Sequence, residues 1–174
     1  MAAQRFVEQL NAQIGNELAA HNQYLACAIY YDAQTMPQMA AFFYGQALEE
    51  RDHAMMMVQY LLDTDADVTI PAVPAAISTF DDIVAPVALA LEQEKRVTAQ
   101  INELIRITRD EFDFASEQFM GWFIKEQVEE MATMSDLLTV VGRNLDNINN
   151  IEAYVVREQG GEGVDPTAPR AAGA

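Results

Sequence analysis

Four long segments of the chain repeat their apolar residues with the period of an α-helix, and a connection rich in aspartate and proline separates the second from the third. The period predicts helices over residues 5–31, 38–62, 85–109 and 114–141. Pro37 and Pro86 fall where the second and third helices begin, positions at which the missing N–H has no cost. The chain is therefore expected to be all-α.

The connection over residues 63–82 decides how these helices pack. Residues of an extended chain span about 3.3 Å each, whereas helical residues rise about 1.5 Å each, so the connection is long enough to run the length of a helix. The first and last helix pairs are joined by short turns and are expected to form antiparallel hairpins. The fold predicted is a four-helix bundle with one long crossover connection. A short fifth helix is expected over residues 145–157, giving one domain over 1–158 and a flexible tail rich in Gly, Ala and Pro over 159–174.

Composition excludes several classes of function. A formal net charge of −17 opposes binding to nucleic acid and favours cations as partners. The one cysteine, Cys27, rules out both an intramolecular disulfide and a four-cysteine metal site within the chain, and indicates a cytoplasmic protein. No run of apolar residues is long enough to span a membrane.

Glu50 and His53 lie three positions apart in the second predicted helix and so share one face of it. The apolar stripe of this helix passes through position 50, where a core residue is expected. A glutamate in that position is paired, protonated or bound to a metal. On this motif alone, a chance pair on a solvated helix face remains the alternative.

The same arrangement returns in the second half of the chain. Glu17 and Glu50 are separated by 33 positions, and so are Glu94 and Gln127. Counted from the turn of each hairpin, all four residues lie at mid-height of the bundle. In the second half Glu130 stands where the first has His53, so two metal positions built from this pattern are expected to be unequal.

Several inward-facing carboxylates with one imidazole would cost several kcal/mol per unpaired charge unless they take up protons or a cation neutralises them. Oxygen ligands with one histidine suit Fe(II), Mn(II) or Zn(II), and do not suit the soft ion Cu(I).

This constellation resembles the non-haem bacterial ferritins over roughly residues 5–157. The matching segments are Asn16-Glu17, Asn22-Gln23-Tyr24, Glu49-Glu50-Arg51-Asp52-His53-Ala54, Glu94 and Glu126-Gln127-Val128-Glu129-Glu130. The resemblance implies a di-iron ferroxidase centre with Glu17, Glu50 and His53 on the first iron, Glu50 bridging, Glu94 on the second and Gln127 beside it.

The resemblance carries further expectations. It implies that Tyr24 lies next to the centre and that an additional iron site is formed by Glu49, Glu126, Glu129 and Glu130. Haem is not expected, because bacterioferritins have a histidine at the position of Glu130 and a haem-ligating methionine just after the helix-two glutamate, where this chain has Arg51 and Asp52. The implied function is iron storage: Fe(II) is oxidised with dioxygen or hydrogen peroxide, and ferric mineral is held in a cage of 24 subunits.

Two other functions are compatible with the residues. One is a non-catalytic helical bundle that serves as an interaction module, and the other is a di-metal oxidase that stores nothing. His21 is expected to be a hydrogen-bonded helix residue and not a ligand, and the run Met55-Met56-Met57 is expected to pack in the core.

Overall fold

The computed structural model describes residues 2–159 and 165–173, and five helices account for most of them. They are α1 (Gln4–Ala33), α2 (Pro37–Asp63), α3 (Ala85–Asp110), α4 (Phe114–Arg143) and α5 (Ile148–Gln159). No strand occurs in these described ranges. The predicted all-α bundle is confirmed, and none of its described helices is long and apolar enough to cross a membrane.

The two hairpins turn through residues whose backbone adopts the left-handed region. Thr35 stands between α1 and α2 with a φ of 59°, and Phe112 stands between α3 and α4 with a φ of 55°. Asp113 caps α4, because its side chain accepts a hydrogen bond from the Ser116 backbone N–H at 3.1 Å. Its other carboxylate oxygen accepts from the backbone N–H of Ala3 at 2.9 Å, which ties the start of the chain to this turn.

The crossover connection, residues 64–84, has no regular secondary structure and lies along α1. The side chain of Gln23 holds it by pairing with both backbone groups of Ile77, at 2.8 and 2.9 Å. The hydroxyl of Tyr31 donates to the carbonyl of Ile83 at 2.6 Å. At Gly15 the absence of a side chain lets Pro71 approach the helix backbone, since a Cβ there would collide with the proline ring.

The fifth helix closes one end of the bundle. The carboxylate of Glu152 in α5 accepts hydrogen bonds from the backbone N–H groups of Gln38 and Met39, at 2.9 and 3.0 Å. These two N–H groups lie in the first turn of α2 and have no partner within that helix. Met36, the residue before the helix, makes no side-chain capping bond, so α5 supplies the cap. The helix begins at Ile148, three residues later than predicted, because a turn in which the Asn147 N–H bonds to the Asn144 carbonyl occupies the preceding positions.

The core is divided into two apolar clusters. One, near the α5 end, contains Tyr24, Tyr31, Phe43 and Met134, and the other, near the opposite end, contains Phe6, Leu10, Met57 and Phe123. Along each of the four long helices, at least one buried polar residue comes after the residues of one cluster and before those of the other. The bundle therefore has a polar layer at mid-height, where the sequence predicts one.

The tail was predicted to be flexible over 159–174. Residues 160–164 lie outside the described part of the chain, whereas residues 165–173 rest against the bundle. Asp165 accepts hydrogen bonds from the Trp122 indole at 3.2 Å and from Lys125 at 3.1 Å, and the Ala172 N–H donates to the Met55 carbonyl at 3.0 Å. Small side chains, Ala168 among them, allow this close packing.

Candidate metal centre

Each of the four long helices places polar side chains in the layer between the two apolar clusters. They are Glu17 from α1, Glu50 and His53 from α2, Glu94 from α3, and Gln127 and Glu130 from α4. None of them is more than 7% exposed. The structure thus brings together the residues that the spacing of 33 positions predicts.

The first cluster belongs to the α1–α2 hairpin. Glu17, Glu50 and His53 each offer one ligand atom, and these atoms lie within 4.8 Å of one another. Two carboxylates and an imidazole at this separation are a suitable donor set for a first-row divalent metal. Gln13, one turn before Glu17, orients the carboxylate by donating from Nε2 to Glu17 Oε1 at 2.9 Å.

Burial disfavours negative charge on both carboxyl groups of this cluster. Burial, and then the charge of Glu50, raises the pKa of Glu17 well above its usual value. Burial, and then the charge of Glu94, does the same to the pKa of Glu50. Glu17 Oε2 is buried without a hydrogen-bond partner among the described residues. A metal ion bound by this cluster would satisfy that oxygen and would favour the ionised forms of both carboxyl groups.

The second cluster surrounds Glu94, whose two oxygens each receive a hydrogen bond. The Tyr24 hydroxyl donates to Oε1, and Gln127 Nε2 donates to Oε2 at 3.4 Å. The Thr98 hydroxyl in turn donates to Gln127 Oε1 at 2.7 Å. Burial is the largest cause that raises the pKa of Glu94, and these two donors oppose it. Tyr24 therefore lies beside Glu94, and the resemblance to the non-haem ferritins implied a position of this kind for it.

Glu130 lies between this centre and a more open acidic group. Burial, and then the charge of Glu94, raises the pKa of Glu130 well above its usual value, while a hydrogen bond from Gln46 lowers it. The same Gln46 amide donates to Glu49, so one side chain connects the buried carboxylate to the acidic group.

The acidic group lines a cleft of about 480 Å³. Glu49, Glu126 and Glu129, three of the four residues predicted for an additional metal site, line it together with His53 and the tail residue Asp165. Burial raises the pKa of Glu126, with smaller increases from Glu129 and Glu49. Glu129 is exposed, with its carboxylate 3.9 Å from Lys125 Nζ.

Sequence reasoning did not identify three side chains that orient the ligands: Gln13, Gln46 and Thr98. Gln13 and Thr98 each lie four positions from a predicted ligand on the same helix face, and this spacing was the available signal. His21 is indeed hydrogen-bonded, with Nδ1–H donating to the Ala47 carbonyl at 2.5 Å. Cys27 is buried, and burial raises the pKa of its thiol to about 12.

The fold and this site define a class: four-helix bundles that hold metal ions in a carboxylate-rich layer at mid-height. The chain belongs to the ferritin family, because the ferritin-like domain matches its residues 7–143. The resemblance drawn from the sequence is confirmed.

Relatives and solved structures agree with this assignment. Ferritin BfrB of Mycolicibacterium smegmatis is 49% identical over 97% of this chain and 93% of its own length. A bacterial non-heme ferritin of Staphylococcus aureus is 34% identical over 88% of this chain and 93% of its own. The open pore ferritin of the archaeon Archaeoglobus fulgidus superimposes with a TM-score of 0.85 at 29% identity, covering 90% of this chain and 97% of that one.

Proposed function

We propose that this protein is an iron-storage ferritin with an intra-subunit ferroxidase centre. The observation that carries the proposal is the buried set Glu17, Glu50 and His53, held within 4.8 Å in a chain of the ferritin family. The substrate is Fe(II), the oxidant is dioxygen or hydrogen peroxide, and each Fe(II) ion gives one electron to it. The proposed place of storage is the cytoplasm.

Two iron positions are proposed in the polar layer. Glu17, Glu50 and His53 hold the first ion, and Glu50 is shared with the second, which Glu94 binds with Gln127 beside it. Because burial raises the pKa of these three carboxyl groups and metal binding requires their ionised forms, Fe(II) binding is expected to favour the release of protons. Tyr24 and Gln127 hold the Glu94 carboxylate in place while the charge of the iron changes.

The acidic cleft is the proposed exit of oxidised iron from the centre. Glu130 lies beside the second position, and Glu49, Glu126 and Glu129 continue from it into the cleft. These oxygen ligands suit Fe(III), so they form a further binding position between the centre and a ferric mineral.

Storage requires an assembly that encloses the mineral, and we propose a cage of 24 subunits. The interfaces of such a cage would bury large apolar side chains that are exposed on the single subunit. Among them are Ile29, Leu48, Leu62, Ile77 and Phe114.

The test is the mass of the metal-free protein by light scattering, followed by aerobic addition of Fe(II). We expect a large homo-oligomer, rapid formation of Fe(III) and an electron-dense core, and a strong loss of the initial rate in Glu50→Ala. A monomer or dimer that does not oxidise iron would indicate the non-catalytic bundle. Oxidation without a core would indicate an oxidase that stores nothing.

A further inference from the structure

The side-chain amide of Gln127 is held from both ends. Its Oε1 accepts from the Thr98 hydroxyl at 2.7 Å, and its Nε2 donates to Glu94 Oε2 at 3.4 Å. Gln127 is buried, and Thr98 lies one helical turn after Glu94 on the same face of α3. The amide therefore bridges α3 and α4 beside the second iron position.

These two partners determine which way the amide points. The Thr98 hydroxyl lies at hydrogen-bond distance from one end of the amide and donates its hydrogen to the oxygen there, which leaves the NH₂ end to donate to the Glu94 carboxyl group. The NH₂ end of Gln127 therefore faces Glu94, and the carbonyl end faces Thr98. The Thr98 hydroxyl hydrogen goes to this carbonyl, although a helical threonine commonly donates to the backbone carbonyl one turn earlier.

We propose that Thr98 is a positioning residue that keeps the carbonyl oxygen of Gln127 away from the second iron. Gln127 then acts as a hydrogen-bond donor to Glu94 and is not itself a ligand of the second iron. The inference rests on the proposed function, because it concerns the second metal position of the same centre.

The consequence is a difference in affinity between the two positions. The first has two carboxylates and a histidine, whereas the proposed ligands of the second are Glu94 and the shared Glu50, and the Gln127 carbonyl oxygen near Glu94 is bonded to Thr98. The Gln127 N–H also draws electron density from Glu94, which weakens that carboxylate as a ligand. Weak binding at the second position favours release of iron after oxidation.

The experiment uses Zn(II), which is redox-inert, titrated into the metal-free assembled protein, with occupancy of each position measured in crystals and affinities measured by calorimetry. Thr98→Val keeps the shape of the side chain and removes the hydroxyl, while Thr98→Ser retains the hydroxyl. With the hydroxyl removed, the amide is free to rotate and offer its oxygen to the metal. We expect Thr98→Val to tighten the second position relative to the first by about tenfold, the scale of hydrogen bonds around metal ligands.

A second background separates this effect from a general structural change. In Gln127→Leu the amide is absent, so adding Thr98→Val should leave the ratio of the two affinities unchanged, and Thr98→Ser alone should keep the wild-type ratio. The inference is overturned if Thr98→Val leaves the ratio unaltered, if it shifts the ratio equally in the Gln127→Leu background, or if Thr98→Ser acts like Thr98→Val. Wild-type protein that binds no Zn(II) at Glu17, Glu50 and His53 would overturn the proposed function, and this inference with it.

Discussion

Replacing Glu50 by glutamine should stabilise the metal-free protein while it disables the centre. Glu50 is 3% exposed, and its ligand atom lies within 4.8 Å of that of Glu17. Two unit charges at that distance repel by about 3 kcal/mol at an effective dielectric constant of about 20. The introduced amide has the same shape, carries no charge and can donate to Glu17. Because protonation already relieves part of the repulsion, we expect the free energy of unfolding to rise by about 1–3 kcal/mol.

The sign of the pH dependence follows from the raised pKa of Glu50. Above the pKa of the unfolded chain, the folded protein holds a proton that the unfolded protein has lost, so its stability falls as pH rises towards the folded-state pKa. The variant lacks this titration. The free energy of unfolding of Glu50→Gln should therefore exceed that of the wild type only slightly at acidic pH, and the difference should grow as pH rises through neutral to alkaline values.

The assay is calorimetric unfolding of metal-free protein at one scan rate and several pH values. A chain of this size gains about 2–4 °C in Tm per kcal/mol, so an increase of about 2–12 °C is expected at alkaline pH. The matched control is Glu92→Gln, the same change at an exposed helix position, which should alter stability by less than about 0.5 kcal/mol. A Tm for Glu50→Gln that is equal to or below the wild type across the pH range would refute the account of the buried carboxylates.

Three further outcomes can be checked on the same protein. His21→Ala removes a hydrogen bond to the Ala47 carbonyl and should keep the wild-type initial rate of Fe(III) formation, whereas a large loss of rate would make His21 part of the centre. Gly15→Ala should lower the denaturant midpoint, because crowding against Pro71 costs about 1–3 kcal/mol. Gly121→Ala, whose new Cβ meets nothing within 4 Å of the same chain, should raise the free energy of unfolding by about 1 kcal/mol and the midpoint with it. Equal shifts of the midpoint for the two glycines would contradict the packing described. Zn(II) binding should release protons, seen as a dependence of the binding heat on the buffer, and a heat that is the same in every buffer would show that the carboxyl groups are already ionised.

Much of the fold could be predicted because its strongest signals are local. Helix period and the positions of Pro37 and Pro86 locate the four long helices to within about three residues. The layer that contains Glu17 and Glu50 follows from counting residues back to each hairpin turn. These inferences need only the geometry of single helices and the lengths of the connections.

The remaining features depend on how neighbouring segments are rotated and packed. The sequence marks Thr98 only by its spacing of four positions from Glu94, and its contact with Gln127 at 2.7 Å depends on how α4 is rotated against α3. The tail is held by hydrogen bonds of Asp165 and of the Ala172 backbone. Such polar contacts produce no apolar periodicity, so the sequence pattern does not predict them. Gly15 gives no sign of its role before Pro71 is seen against the helix.

The first metal position is contained within one hairpin, since Glu17 comes from α1 and both Glu50 and His53 come from α2. The second hairpin repeats the same spacing but lacks the histidine. The ligand atoms of the first position would therefore keep their mutual distances if the two hairpins tilted against each other, because none of them comes from the second hairpin. The hydrogen bond from Tyr24 to Glu94 joins α1 to α3, so the same motion would disturb the surroundings of Glu94.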